Sequence, residues 1–226
     1  MSAAAIAHLS LAGYREAFYQ LPGLLKNNLI VMVAAPTLSI VLAACVAWVS
    51  TRTEIRGRRS LDIVVMASVA VPSIVGALGF LYFGLLTYRW VPLYTTIWII
   101  VLAMATRSLT WANRTIGSAM MQVHKEIEEV CATSGVRRGR AFVSILLPTI
   151  GQSLLFSWFW VAMLSLRELT IPIMLQRQNT QVIATAIWSF NQAGASDVAA
   201  ALGVILVCMI FGVVLIFYKF AGQNRI

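Results

Sequence analysis

The sequence predicts an all-α fold, a polytopic bundle of membrane-spanning helices, from three observations. The chain has 226 residues, of which 60% are hydrophobic and only 11% charged, whereas soluble domains carry about a quarter charged residues. Its charges are bunched and leave long uncharged runs, four of which contain 21 to 26 residues. About 20 apolar residues suffice for a helix to cross the hydrocarbon of a membrane. A helix also satisfies its own backbone hydrogen bonds in lipid.

Five core transmembrane helices follow from these runs. The uncharged stretches are residues 27–51, 63–88, 90–106, 141–166 and 198–218. The third stretch becomes long enough if it continues to Trp111, with Arg107 snorkelling to the membrane face. A sixth run, residues 178–196, contains too many amides and hydroxyls for a lipid-facing span. Together with Pro172 before it, this run predicts a broken or re-entrant helix.

The basic residues orient the chain. Lys and Arg favour the cytoplasmic side of a membrane, and most of the 17 basic residues follow the first span, the third span or the last span. Those segments are therefore predicted to be cytoplasmic, as is the C-terminus. Residues 1–26 become a periplasmic N-terminal segment without a signal peptide, and residues 27–226 form the membrane domain. Either the N-terminal segment is translocated unaided, or the chain is the later part of a longer protein with a preceding helix. The net charge of +9 also suits anionic lipid headgroups, and it indicates no nucleic-acid partner.

Composition argues against catalysis by this chain. Its two histidines and eight acidic residues lie mostly in predicted loops, whereas a membrane-embedded enzyme would need several such groups together. The three cysteines fall in separate segments, so neither a disulfide nor a metal site is predicted. No phosphate-binding glycine loop with a following Lys occurs. We therefore expect no catalytic residue, metal or cofactor, and any ATP would be hydrolysed by a partner.

The long cytoplasmic segment 112–148 has a helical pattern of its own. Glu128 and Glu129 belong to an acidic first turn, which suits a helix N-terminus. Gly135 stands where that helix would end in a left-handed residue, and a basic helix over 136–147 follows. The side chains that recur at helical spacing are Ile127, Val130, Cys131 and Ser134. By composition alone, the favoured interpretation is a pair of acidic and basic helices that merely face solvent.

The spacing in this segment resembles the EAA signature of permease subunits of type I ATP-binding-cassette (ABC) importers. The signature reads Glu-Ala-Ala, three residues, Gly, nine residues, Ile-x-Leu-Pro. The matching residues are Glu129, Gly135, Ile145, Leu147 and Pro148. Val130 and Cys131 replace the two alanines, and His124-Lys125 replace a frequent Asp-Pro. Residues 27–226 further resemble the second half of ferric-iron permeases, including Leu-Arg-Glu-Leu-Thr at 166–170.

This resemblance implies a permease subunit in the bacterial inner membrane that couples to two copies of an ABC ATPase. The implied coupling residues are Glu128, Glu129, Gly135, Arg138, Ile145, Leu147 and Pro148. Further implied partners are a second permease half or an identical mate and a periplasmic substrate-binding protein. Ferric iron is the implied cargo. Thiamine, polyamines or phosphonates stay open, as does a channel or secondary carrier, although such a protein would not need this loop.

Ionisable residues at membrane depth suggest a gate. Arg167 and Glu168 close the fourth predicted span, and charges at this depth are costly enough to be functional candidates. Because adjacent residues on a helix face different ways, each of the two needs a partner on another helix or chain. Thr170 and Pro172 follow in the same stretch and complete the gate candidates. Interfacial snorkelling of the two charged side chains is an equally good interpretation.

Overall fold

The computed structural model describes residues 12–124 and 126–223, and all regular structure within these residues is helical. The helices are α1 (Ala12–Arg52), α2 (Arg58–Ala70), α3 (Ser73–Thr87), α4 (Trp98–Gln122), α5 (Glu126–Thr133), α6 (Arg138–Ala141), α7 (Leu147–Thr149), α8 (Gly151–Arg167), α9 (Thr170–Leu175), α10 (Ile183–Gln192) and α11 (Ser196–Gln223). A 3₁₀ turn (Leu93–Thr95) precedes α4, and a π-helical segment (Phe142–Leu146) joins α6 to α7. The predicted all-α class is confirmed.

The first predicted span is part of a longer helix. Helix α1 has 41 residues and continues through Pro22, Lys26 and Pro36. At 1.5 Å per residue it is about 60 Å long, which is about twice the thickness of membrane hydrocarbon. Residues 12–26 therefore belong to the same helix as the span, since a single charge such as Lys26 does not end a helix. Residues 1–11 of the predicted N-terminal segment lie outside the described residues.

The second predicted span, residues 63–88, is broken. Helices α2 and α3 are bent by 110° at Val71 and Pro72. Val71 is extended, with φ −81° and ψ 123°, because the ring of a following proline disfavours the helical conformation. Pro72 also lacks the N–H that a continuous helix would use. The two arms have 13 and 15 residues, so neither is long enough to span alone.

The third predicted span is displaced toward the C-terminus. Residues 90–97 form turns around Pro92, and α4 begins only at Trp98 and runs for 25 residues. Arg107 is consequently the tenth residue of α4, whereas the predicted span, continued to Trp111, placed it near the C-terminal end. Helix α4 packs against α1, α2, α3, α8 and α9. Its central position explains why polar side chains such as Thr110 and Asn113 are buried along it.

The other spans show the same distinction between straight and bent helices. Helices α1 and α11 are each long and apolar enough to cross a membrane, and the number rises to four if each bent pair counts as one span. The second bent pair is α6–α7 with α8, which turn by 73° at Ile150, two residues after the predicted entry at Pro148. Helix α10 has only ten residues, about 15 Å, and is too short to span. This agrees with the broken helix predicted for 178–196.

Helix α1 contributes residues to three separate apolar clusters along its length. In the first cluster, Val31 and Ala35 pack with α3, α4 and α9. In the second, Ala43 and Ala47 pack with α4 and with the segment that leads into α8. In the third, Ala17 packs with α10 and α11 near the start of α1. Small residues at these contacts let the helices approach closely.

Candidate coupling loop and central cavity

The turn predicted between the two helices of segment 112–148 is present. Helix α5 ends at Thr133, and Gly135 follows with φ +76°, the left-handed conformation that glycine adopts without strain. The N–H of Val136 donates to the carbonyl oxygen of Cys131 at 2.9 Å, which is the closing bond of a Schellman motif. The sequence signal for this turn, a glycine after a helical stripe, therefore predicted the backbone correctly.

Helix α5 has one buried and one open apolar side. Cys131 is only 7% exposed, whereas Val130 is 64% exposed and Ile127 is exposed as well. Among the described residues, α5 packs mainly on the short helix α6, so its outer side is free of this chain. Glu128 and Glu129 lie on the α5 backbone, and their side chains lie outside the described part of the chain.

The second half of the loop is anchored on the bundle. The ring of Phe142 stacks on Trp48 of α1 with centroids 4.9 Å apart, and Leu146 and Ile150 are buried beside it. Of the predicted coupling residues, Arg138 and Pro148 are exposed, and Ile145 and Leu147 are half-buried. The sequence interpretation missed Phe142, Leu146 and Ile150, although their spacing of four residues is a helical signal.

Arg52 fastens the start of the loop. It is the last residue of α1, and its guanidinium donates to the carbonyl oxygens of Met120 and Val123, the latter at 2.6 Å. These carbonyls lie at the C-terminal end of α4, where a helix satisfies few of its own acceptors. The N–H of Val123 also donates to the Met120 oxygen, at 3.3 Å. A cation is also favoured there by the helix dipole. Arg52 therefore holds the position from which α5 departs.

Two gate candidates line a common cavity. Arg167, the last residue of α8, and Glu168 border a half-open cavity of about 400 Å³ together with Arg107 and Trp111 of α4. Glu168 Oε2 lies 3.6 Å from Nε of Arg107, and Glu168 Oε1 accepts a hydrogen bond from the backbone N–H of Thr170 at 3.1 Å. Glu168 thus meets a residue of another helix, Arg107, whereas no side-chain partner is found for Arg167 among the described residues.

The other two candidates have different surroundings. Thr170 begins α9 and reaches the cavity region only through its backbone N–H. Pro172 is fully buried in α9 and is not among the cavity residues. Its neighbours Ile171 and Leu175 pack in the cluster formed by α1, α3, α4 and α9. Pro172 is therefore a packing residue in this chain, and the cavity is defined by Arg107, Arg167 and Glu168.

A second polar cavity borders α4 near the C-terminal end of that helix. It has a volume of about 530 Å³ and includes Arg52, Asp62, Asn113 and Arg114. The side-chain amide of Asn113 donates to Asp62 Oδ1 at 3.2 Å. In the part of the chain that the structure describes, no group of three or more His, Cys, Asp or Glu residues could hold a metal ion. The first cavity therefore offers charged groups and hydroxyls, and the second offers charged groups, hydroxyls and an amide.

Comparison with known proteins identifies relatives of the whole membrane domain. The profile of the family described as "Binding-protein-dependent transport system inner membrane component" matches residues 28–223. The ferric transport system permease protein FbpB of Actinobacillus pleuropneumoniae is 23% identical over 207 residues, which are 91% of this chain and 29% of that protein. The sulfate transport system permease protein CysT of Escherichia coli is 26% identical over 159 residues, 66% of this chain and 57% of that protein. The chain thus spans about a third of the length of the ferric permease.

Solved structures show the same fold. A bacterial ABC transporter involved in alginate import matches with a TM-score of 0.73 and 17% identity over 96% of this chain and 85% of that chain. The MetNI methionine ABC transporter in an inward-facing conformation matches with a TM-score of 0.68 and 12% identity over 91% of this chain and 96% of that chain. These likenesses confirm the predicted permease-type helical fold.

Proposed function

This chain belongs to the family of binding-protein-dependent transport system inner membrane components, and we propose that it is a transmembrane permease unit of an ATP-driven ABC importer. The observation that supports this role best is the helix α5, Gly135 and α6 arrangement. It forms a short helix with an exposed apolar side, beginning directly after α4 and ending in a rigid turn. Such a helix can seat in a cleft of another protein and transmit its movement to the bundle.

The connections of α5 explain how a push on it would reach the spans. Before it, Arg52 ties the end of α4 to α1. After it, the stacked rings of Phe142 and Trp48 tie the segment leading into α8 to the same helix. Packed side chains transmit displacement because interiors are close-packed and yield little. Movement of a docked ATPase would therefore be passed to α4 and α8, which border the cavity of Arg107, Arg167 and Glu168.

Co-purification with the ATPase tests this role. The exposed position Val130 is changed to Asp, and the equally open Ile55, in the loop between α1 and α2, is changed to Asp as a matched control on the same predicted side. The tagged wild-type chain and the Ile55→Asp variant are expected to co-purify with the ATPase. The Val130→Asp variant should lose it, because docking would bury an unpaired carboxylate, which is costly. The Gly135→Trp variant should also lose the ATPase, because position 135 needs a left-handed backbone conformation that tryptophan rarely adopts.

Failure would be clear in this experiment. If well-folded wild-type chain recovers no ATPase from membranes that contain it, the importer proposal is wrong. In that case a channel or secondary carrier becomes the better interpretation. If Ile55→Asp and Val130→Asp behave alike, the docking surface lies elsewhere on the predicted cytoplasmic side.

For the cargo, we propose ferric iron, delivered by a periplasmic substrate-binding protein. Two copies of a separate ATPase would hydrolyse the ATP, and a second permease half, or an identical mate, would complete the pathway. The ferric permease FbpB, which aligns with 91% of this chain, supports this choice. Sulfate is the competing cargo because sulfate permeases are at a similar identity. Uptake of radiolabelled iron and sulfate into cells that express the whole transporter separates the two, and uptake of sulfate alone would refute ferric iron.

A further inference from the structure

The cavity between α4 and α8 has an excess of positive charge. It is bordered by two guanidinium groups, Arg107 and Arg167, and by one carboxylate, Glu168. Two serine hydroxyls, of Ser108 and Ser165, add polar groups to the same wall. Arg107 lies ten residues into the 25-residue helix α4, where a charge in lipid would be expensive. A cation at that depth is tolerated when it faces water, a counter-charge or a ligand.

The single carboxylate neutralises the charge of these two arginines only in part. Glu168 approaches Arg107 at Nε, at 3.6 Å, which is longer than a hydrogen bond. Its other oxygen is used by the N–H of Thr170. Among the residues that the structure describes, no hydrogen bond or ion pair is found for the side chain of Arg167 or for the terminal nitrogens of Arg107. The side chains of Arg107 and Glu168 are 41% and 21% exposed, so both are accessible from the cavity.

We propose that Arg107 and Arg167 form a binding site for an oxyanion and that Glu168 is the counter-ion which the incoming anion displaces from Arg107. The fork of donors on a guanidinium fits the oxygens of sulfate, phosphate or a carboxylate. A cavity of about 400 Å³ is within the range of small-molecule sites. This inference rests on the proposed importer function and specifies its substrate class. The cargo would carry oxyanion groups, either as a free anion or as the anionic ligands of a ferric complex.

The carboxylate has a definite part in this scheme. With the cavity empty, Glu168 neutralises Arg107 and its Oε1 holds the first turn of α9 through Thr170. When an anion binds Arg107, like charges repel and Glu168 is driven from it. The binding event would thereby release a contact between α4 and the joint of α8 and α9. Removal of the carboxylate should strengthen anion binding, whereas removal of either arginine should weaken it.

Direct binding to the full chain in lipid nanodiscs tests the proposal. The probes are radiolabelled sulfate, phosphate and ferric citrate, each measured by equilibrium dialysis. Arg107→Gln and Arg167→Gln are expected to bind about 10- to 100-fold more weakly than wild type, since each loses charge-assisted hydrogen bonds. Glu168→Gln should bind several-fold more tightly. Arg177→Gln, which removes an exposed arginine stacked on Tyr94 away from the cavity, should bind like wild type.

The probes and variants leave each outcome decisive. Binding of sulfate or phosphate indicates a free anion, and binding of ferric citrate alone indicates the anionic ligands of a metal complex. Wild type that binds none of the three, arginine variants that bind normally, or a Glu168→Gln variant as weak as they are would each overturn the proposal. Arg107→Lys and Arg167→Lys keep the charge and guard against misfolding of the glutamine variants. ATPase recovery on the same preparations separates failure of this site from failure of the importer function.

Discussion

Arg52 and Arg107 illustrate how little a residue type says about its contacts. Both are basic residues at the margins of the predicted spans, where snorkelling into the headgroups is the usual expectation. In the structure, Arg52 donates to the terminal carbonyls of α4, and Arg107 meets Glu168 across the cavity. The partners come from residues more than 60 positions away in the chain, so their identity depends on how the helices are arranged.

The bond made by Arg52 leads to a stability prediction. Arg52→Ala is expected to lower the free energy of unfolding by about 1.5–3 kcal/mol, because hydrogen bonds from a charged donor to the carbonyls at the end of α4 are lost. Thermal unfolding of the purified chain in detergent measures the change. Arg56→Ala, at an exposed position four residues on, should have little effect. Equal losses from the two substitutions would contradict the capping role.

At the scale of whole elements, helix contacts depend on where side chains are missing. A Cβ on Gly84 of α3 would lie 2.5 Å from Cδ1 of the buried Ile99 and 3.2 Å from Cβ of Tyr94. Gly79, on the same helix, has open space at the corresponding position. Glycine at Gly84 thus permits the close crossing of α3 and α4.

These two glycines form a matched pair for substitution. Gly84→Ala is expected to destabilise the chain by about 1–3 kcal/mol through overpacking against Ile99 and Tyr94. Gly79→Ala should stabilise it by about 0.5–1 kcal/mol, since alanine is the better helix former and nothing obstructs it. Denaturant unfolding of both variants measures the difference, and the same sign for both would show that α3 and α4 do not cross at Gly84.

The elements also show which local sequence patterns suffice to predict where a helix ends. The end of α5 at Gly135 was predictable because the turn is formed by neighbouring residues and needs only a residue that tolerates positive φ. The sequence left the break between α2 and α3 undecided, although Pro72 lies at it. Proline is ordinary in membrane helices, and Pro22 and Pro36 lie inside the continuous α1. Whether a proline breaks a helix is therefore decided by its surroundings.

For the whole molecule, the bend between α2 and α3 makes the topology testable. If the bent pair crosses the membrane once, Ile55 before it and Trp90 after it lie on opposite sides, with Ile55 cytoplasmic by the positive-inside rule. Both side chains are exposed. In a background with Cys45, Cys131 and Cys208 changed to Ser, Ile55→Cys should react with a membrane-impermeant maleimide only in inverted vesicles, and Trp90→Cys only in spheroplasts.

Two other labelling patterns are informative. Reaction of both cysteines from the same side would mean that α2 and α3 form a re-entrant pair, which the 110° bend also permits. Reaction of Ile55→Cys only from the periplasmic side would invert the predicted orientation. In that case the exposed side of α5 could not meet an ATPase, and the proposed function would fail with it.

The sequence by itself determined the all-α membrane class and the turn at Gly135, because hydropathy and backbone conformation act over a few neighbouring residues. It also contained the spacing from Glu129 to Pro148 that resembles the permease signature. Only the tertiary structure decided where spans bend, that α4 is central, and that Arg107 and Glu168 are partners. These features arise from packing between distant segments, and a linear pattern of charge and hydropathy does not specify which segments meet.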